Sequence, residues 1–301
     1  MRWIGLMVGL ALTAAAPVTS ATYRWVEWRG DRPPLTIGEA GATATIRATP
    51  CDSRRFDCTP ADAMTTPVVE VRAPGLPPTM LTGEATGRSM AHFVGIGRLA
   101  KDAPPSVILN SYSGGAHCCQ HILVATPAAA RIDVVDMGSW DGDTIAWPRD
   151  LSGDGIADFR ISDNAFLYAF GCYACSYAPP RVLTIRQGRK VDISAEPGLR
   201  PLFAADLAQV RPLCLKGDRA ACAAYVADAA RLGRTAYAWR EMLRHYARQD
   251  SWPLYTECRR RSADGSCPPD QTIRYATYPE ALAAFLKRAG YIPDGARLPL
   301  R

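Results

Sequence analysis

Ten cysteines set at short range constrain this chain more than any other feature. Cys51 and Cys58 flank six residues, Cys214 and Cys222 flank seven, and Cys258 and Cys267 flank eight. In an oxidising compartment such spacings read as three local staples, each contributing roughly 2–3 kcal/mol by restricting the unfolded chain. The remaining four are adjacent Cys118-Cys119 and Cys172-x-x-Cys175. A bond between sequence neighbours is strained, so the expected solution crosslinks Cys118 and Cys119 to Cys172 and Cys175, with the individual partners left open.

The start of the chain agrees with that chemistry. Arg2 precedes an apolar run from Trp3 to Ala16, followed by the small-residue stretch Pro17 to Ala21. This is the layout of a signal peptide over residues 1–21, with cleavage near Ser20 or Ala21. The run of 14 residues is short of the roughly twenty that a spanning helix needs, and no later segment is apolar for long enough. The expected address is periplasmic or secreted, with no membrane span.

After that leader the chain divides by composition. Residues 22–199 read as a β domain and residues 200–301 as a basic helical region. The net charge of +6 arises entirely from the second part, where 17 Lys+Arg stand against 10 Asp+Glu. That surface suits an unknown protein or an anionic envelope ligand. Aromatic and basic residues do not interleave as nucleic-acid binding would need.

Short β-branched runs between turn formers mark strands at Val69–Arg72, His92–Leu99, Val107–Asn110, Ile122–Thr126 and Arg131–Val135. Val182 to Arg186, Gln187-Gly188, then Lys190 to Ile193 reads as a hairpin. Two passages share one order of parts. Val107–Asn110 leads to Cys118-Cys119 and then a strand pair. Phe159–Ser162 leads to Cys172 and Cys175 and then a strand pair. The offset is 52 residues at the start and 59 at the end. Such a period suggests blade-like units, and two or three cannot close a propeller ring. The expectation is stacked or sandwiched sheets.

The sharpest chemical motif is Asp150-Leu-Ser152-Gly-Asp154-Gly155-Ile156-Ala-Asp158. Side-chain oxygens of Asp150, Ser152, Asp154 and Asp158, with the Ile156 carbonyl, can wrap one hard cation, and Gly155 permits the tight turn. Ile161 stands where an EF-hand carries its bidentate Glu, so this is another kind of loop with calcium as its expected ion. Asp141 and Asp143 lie just upstream. The corresponding stretch before the first unit keeps one acid, Asp102.

This loop resembles the calcium loops of FG-GAP/VCBS repeats, the blades of integrin-α-like propellers. The resemblance covers nine residues and the strand that follows. It implies a calcium-stabilised β unit of the kind used in adhesion or recognition, and no catalytic activity. Separately, Tyr112-Ser-Gly-Gly-Ala-His-Cys-Cys119 resembles a signature of secreted bacterial proteins that brings no activity with it.

His117-Cys118-Cys119-Gln120-His121, with Cys172 and Cys175, could instead form a zinc or copper site or a redox-active dithiol. No complete signature of a hydrolase, nucleotide-binding enzyme or metalloprotease appears.

Beyond residue 200, Asp218 can cap a helix from Arg219 to about Leu232 with one apolar face. Thr235 can cap a second reaching about Gln249, and Pro279 can open a third ending near Ala289. Arg259, Arg260 and Arg261 sit inside the Cys258–Cys267 loop. The expected fold is α+β: an antiparallel, blade-like β-repeat domain, then a small helical region. The expected function is a calcium-stabilised binding or structural module. A thiol-redox or transition-metal enzyme centred on the Cys/His cluster is the alternative.

Overall fold

Among the described residues, three β-sheets are stacked in layers and four α-helices follow them in the chain. The structure, a computed structural model, describes residues 23–56, 58, 64–115, 118–142 and 145–300. The leader expected over residues 1–21 lies outside the described residues, as do His117 and Asp143.

Among its described residues the first part supplies thirteen strands: β1 (Tyr23–Arg29), β2 (Leu35–Glu39), β3 (Ala42–Pro50), β4 (Met64–Arg72), β5 (Thr79–Thr82), β6 (Thr86–Gly87), β7 (Ala91–Gly97), β8 (Ser106–Tyr112), β9 (Gln120–Pro127), β10 (Ile132–Trp140), β11 (Asp158–Ser162), β12 (Pro180–Arg186) and β13 (Arg189–Asp192). The outer sheet runs β2-β3-β4-β5, with β6 beside β4. The middle sheet runs β1-β7-β8-β9-β10 and the third β11-β12-β13. The paired strands are antiparallel.

The middle sheet is covered on both faces. Ile96, Val107, Leu109 and Leu123 pack against Ile37, Ile46, Val69 and Leu81 of the outer sheet. Ile108, Ile122, Val124 and Met137 pack the other way, against Phe159, Ile161 and Leu183 of the third. This explains why Val107-Ile-Leu109 is an uninterrupted apolar run: neither face of β8 meets water. Truncating one of these buried residues, such as Ile108→Ala, would cost about 2–5 kcal/mol.

The two repeated passages form matching three-stranded meanders, β8-β9-β10 and β11-β12-β13. The loops before them touch. Ala100 bridges to Ile156, and the Ala157 amide donates to the Leu99 carbonyl at 2.6 Å. Gln187 and Gly188 both hold positive φ, 52° and 69°, as a two-residue hairpin turn between β12 and β13 requires. The first three strands of the chain lie ahead of the region that reads clearly as β from its pattern.

The helices are α1 (Arg200–Leu215), α2 (Arg219–Arg231), α3 (Thr235–His245) and α4 (Tyr278–Arg288). Asp218 caps α2 by accepting from the Ala221 amide at 2.9 Å. Thr277 and Glu280 form a reciprocal capping box at the start of α4. The single apolar face expected for α2 is corrected to a helix buried all round, from Arg219 to Ala229. Its alanines let α1, α3 and α4 close in, and Phe166 and Phe170 arrive from the segment between β11 and β12. A short ladder of β14 (Glu257–Cys258) and β15 (Thr272–Ile273) lies between α3 and α4.

The cysteine expectation is half right. Cys51–Cys58, Cys214–Cys222 and Cys258–Cys267 pair as their spacing implies. The crosslink between the two repeat units is corrected: Cys118 pairs with Cys119, and Cys172 pairs with Cys175. The physical reason is location. Cys118 and Cys119 close the turn between β8 and β9, pinned by Ser113, whose hydroxyl accepts from the Cys119 amide at 2.7 Å. Cys172 and Cys175 sit in a 3-10 turn carried away by the β11–β12 segment toward Ala220 of α2.

Candidate functional site

Each carboxylate of the acidic loop is held by its own set of donors. Asp150 accepts from the amides of Gly153, Asp154 and Gly155, at 2.6, 3.2 and 2.9 Å. Gly153 and Gly155 both have φ of +84°, which turns these amides inward and which glycine adopts without strain. Asp154 accepts from the Ile156 amide at 2.9 Å and, on its other oxygen, from Arg186 at 2.7 Å. Asp158 is 1% exposed. Its Oδ2 accepts from the Leu151 and Ser152 amides at 2.9 and 2.8 Å, while its Oδ1 has no hydrogen-bond partner.

Arg186, at the end of β12, is the residue that spacing alone does not reveal. Its guanidinium bridges Asp154 and Glu196, reaching Glu196 at 2.6 Å. Partial desolvation works to raise the Asp154 carboxyl, and the Arg186 hydrogen bond and Ile156 amide outweigh it, so the group sits below the usual range. The Ser152 hydroxyl is buried without a hydrogen bond of normal geometry, though its nearness adds to the same lowering. Asp141 is drawn elsewhere and accepts from the Tyr173 hydroxyl.

Oxygen donors at positions 1, 3, 5 and 9 suit a hard cation, and the orphaned Asp158 Oδ1 is an acceptor that a cation would satisfy. Against this, the described residues bring no three Asp, Glu, His or Cys side chains together as a metal-holding group. The carboxylates of Asp150, Asp154 and Asp158 face amides and Arg186 instead of one another.

The Cys/His cluster is not assembled among the described residues. His121 Nδ1 lies 2.7 Å from Glu84 and its Nε2 3.0 Å from Asp136. The Glu84 hydrogen bond raises the imidazole above its ordinary value; burial opposes this and Asp136 adds to it. The ring is therefore a clamp between a loop of the outer sheet and β10. No cysteine is free among the described residues.

A second acidic pair sits at the junction with the helices. Asp228 of α2 is fully buried, and burial first, then the charge of Asp206 on α1, pushes its carboxyl up to about 10. Asp206 lines a cavity of about 520 Å³ bounded also by Ile145, Trp147, Arg149, Arg160 and Ser162. Neither acid belongs to a spacing motif, so only the packing of α1 on α2 shows the pair.

Residues 205–290 match the sll0997 C-terminal domain. That segment covers α2, α3 and α4 and most of α1. Two longer proteins are similar to this chain. The probable thylakoid lumen protein sll0997 of Synechocystis sp. (strain ATCC 27184 / PCC 6803 / Kazusa) is 35% identical over 201 residues, 64% of this chain and 58% of that protein. The uncharacterized protein y4bJ of Sinorhizobium fredii (strain NBRC 101917 / NGR234) is 30% identical over 203 residues, 65% of this chain and 32% of that protein. The matches thus span less than two thirds of the length of either relative. No solved structure matches the chain.

No helix among the described residues is long and apolar enough to cross a membrane.

Proposed function

We propose that this chain is a periplasmic or secreted binding or structural module, stapled by disulfides and stabilised by calcium at residues 150–158. The observation that carries the compartment is that every cysteine is paired, five bridges in all. Thiols persist reduced in the cytosol and oxidise outside it, so ten paired cysteines fit an extracytoplasmic address. The name of the similar Synechocystis protein, a probable thylakoid lumen protein, points to the same kind of space.

The calcium reading rests on the donor set and on the unpartnered Asp158 Oδ1. Asp150, Ser152, Asp154 and Asp158, with the Ile156 carbonyl, would hold the ion. Its chemical contribution is a divalent crosslink between the loop and β11. The reading requires Arg186 to release Asp154. In keeping with FG-GAP/VCBS-like loops, the role is structural and favours recognition at the surfaces nearby.

Two measurements test this. Titration of the purified, denatured protein with a thiol reagent should find no free cysteine until a reductant is added; ten reactive thiols in the untreated protein would refute the compartment. Melting in calcium and in chelator should show higher stability with calcium, and Asp158→Asn should abolish the difference. Equal melting of the wild type in both buffers would refute the calcium role.

A further inference from the structure

β11 is an edge strand, and its residues Arg160, Ile161 and Ser162 line the 520 Å³ cavity. The direction of those groups follows from the register. Arg160 lies opposite Val182. The Val182 amide donates to Ser194 Oγ at 2.9 Å and its carbonyl accepts from Ile193 at 3.0 Å, both on the far side of β12. A residue paired with it is therefore in a non-bonded antiparallel pair, and its own N–H and C=O point outward. Ser162 lies two residues on, opposite Pro180, so its N–H and C=O point the same way as those of Arg160, while the next amide, of Asp163, turns inward to the Pro179 carbonyl at 3.0 Å.

At Asp158 the outer edge is already taken. Its amide and carbonyl exchange hydrogen bonds with Arg149, at 2.9 and 3.3 Å. Beyond that bridge the chain that ends at Arg149 parts from β11. The cavity fills the wedge between Ile145 and Trp147 on one wall and Arg160 and Ser162 on the other.

The exposed charged residues that line the wedge are both arginines. Arg149 and Arg160 are exposed and form no ion pair among the described residues. The acids on the walls are less exposed: Asp158 is buried and accepts from two amides, Asp141 is half-buried and accepts from the Tyr173 hydroxyl, and Asp206 is half-buried on α1 beside Asp228.

We infer that the open edge of β11 docks an extended acidic segment of a partner protein, which adds as a strand along Arg160 and Ser162. Edge strands are usually blunted by a charge or covered, because their free N–H and C=O groups recruit other strands. A charge placed only to blunt the edge needs no recess beside it. Here the recess has one apolar wall for alternate side chains, and two arginines to meet carboxylates on the segment. Backbone pairing supplies the docking, and charge selects the sequence.

This inference rests on the binding-module reading, but the calcium melts are read without any peptide, so each can fail alone. The probe is a fluorescein-labelled peptide alternating Glu and Val, added to the full mature chain and followed by fluorescence anisotropy. Binding is expected, with affinity falling about tenfold when Lys replaces Glu. On the wild-type protein, N-methylation of alternate peptide amides should cost a similar factor, because it removes strand pairing and keeps the charge. Arg149→Glu with Arg160→Glu should weaken binding as much, with an unchanged melting temperature. Equal binding of the methylated peptide, or of the Lys peptide, would overturn the inference. So would displacement by free glutamate as effective as by unlabelled peptide, which would assign the wedge to a small carboxylate.

Discussion

The Tyr291 hydroxyl donates to Asp163 Oδ2 at 3.0 Å, joining the chain just beyond α4 to the residue that follows β11, 128 positions earlier. Both residues are buried, and Arg231 covers the Tyr291 ring with its guanidinium 4.3 Å from the centroid. The β and helical parts thus share a buried polar contact. Tyr291→Phe leaves Asp163 Oδ2 without this donor and should cost about 1–3 kcal/mol. Denaturant unfolding followed by far-UV and near-UV signals should show the two parts losing stability together. A loss confined to the helical signal would contradict this.

Asp228 should make the protein less stable as pH rises. Its folded-state carboxyl is raised from 3.8 to about 10, so between those values the folded chain keeps a proton that the unfolded chain has lost. Stability is then full below the unfolded value and declines as pH climbs toward the folded one. Asp228→Asn removes this titration. Melting measured from about pH 5 to about pH 9 should slope downward less in the variant than in the wild type. Parallel slopes would show that Asp228 does not titrate in this way.

His121 acts in the same direction over a narrower window. Its imidazole is raised above 6.5, chiefly by Glu84, so its charged clamp is complete below the unfolded value and is lost as pH passes the raised one. His121→Gln should remove the part of the pH dependence that lies just above 6.5. NMR of the ring protons should give a midpoint above that of a free histidine; a midpoint below it would rule out the clamp.

Arg186 and calcium should compete for Asp154. In chelator, Arg186→Gln loses the partly exposed pairs with Asp154 and Glu196 and melts earlier. In calcium the variant should gain more than the wild type does, because Asp154 no longer has to leave a guanidinium. Calorimetric titration would show tighter calcium binding by the variant. Unchanged or weaker binding would contradict the competition.

Much of the α+β plan was legible because its signals are local. Asp218 before an alanine-rich run, Pro279 at the start of α4, and Gln187-Gly188 between β runs each act within one turn of chain. The same holds for the three cysteine pairs with short loops. The pairing of Cys118 with Cys119 was missed because it depends on where the β11–β12 segment travels, and that segment goes to α2. The all-round burial of α2 was missed because part of its cover comes from Phe166 and Phe170, far away in sequence. In the acidic loop the residues were readable and their partners were not. Arg186 meets Asp154 only because β12 runs beside β11, and that neighbour relation is tertiary.

Phe166 and Phe170 stand edge-on to Phe285 of α4, with ring centroids 4.8 and 5.1 Å away. Both come from outside residues 205–290, as do Tyr291 and Ile292 of the same cluster. A fragment trimmed to those limits would therefore carry an open apolar socket in place of a closed core. Expressed alone it should self-associate or melt early, and a synthetic peptide spanning 163–179 should restore it. The helical end of this molecule is in that sense a receptor for its own chain.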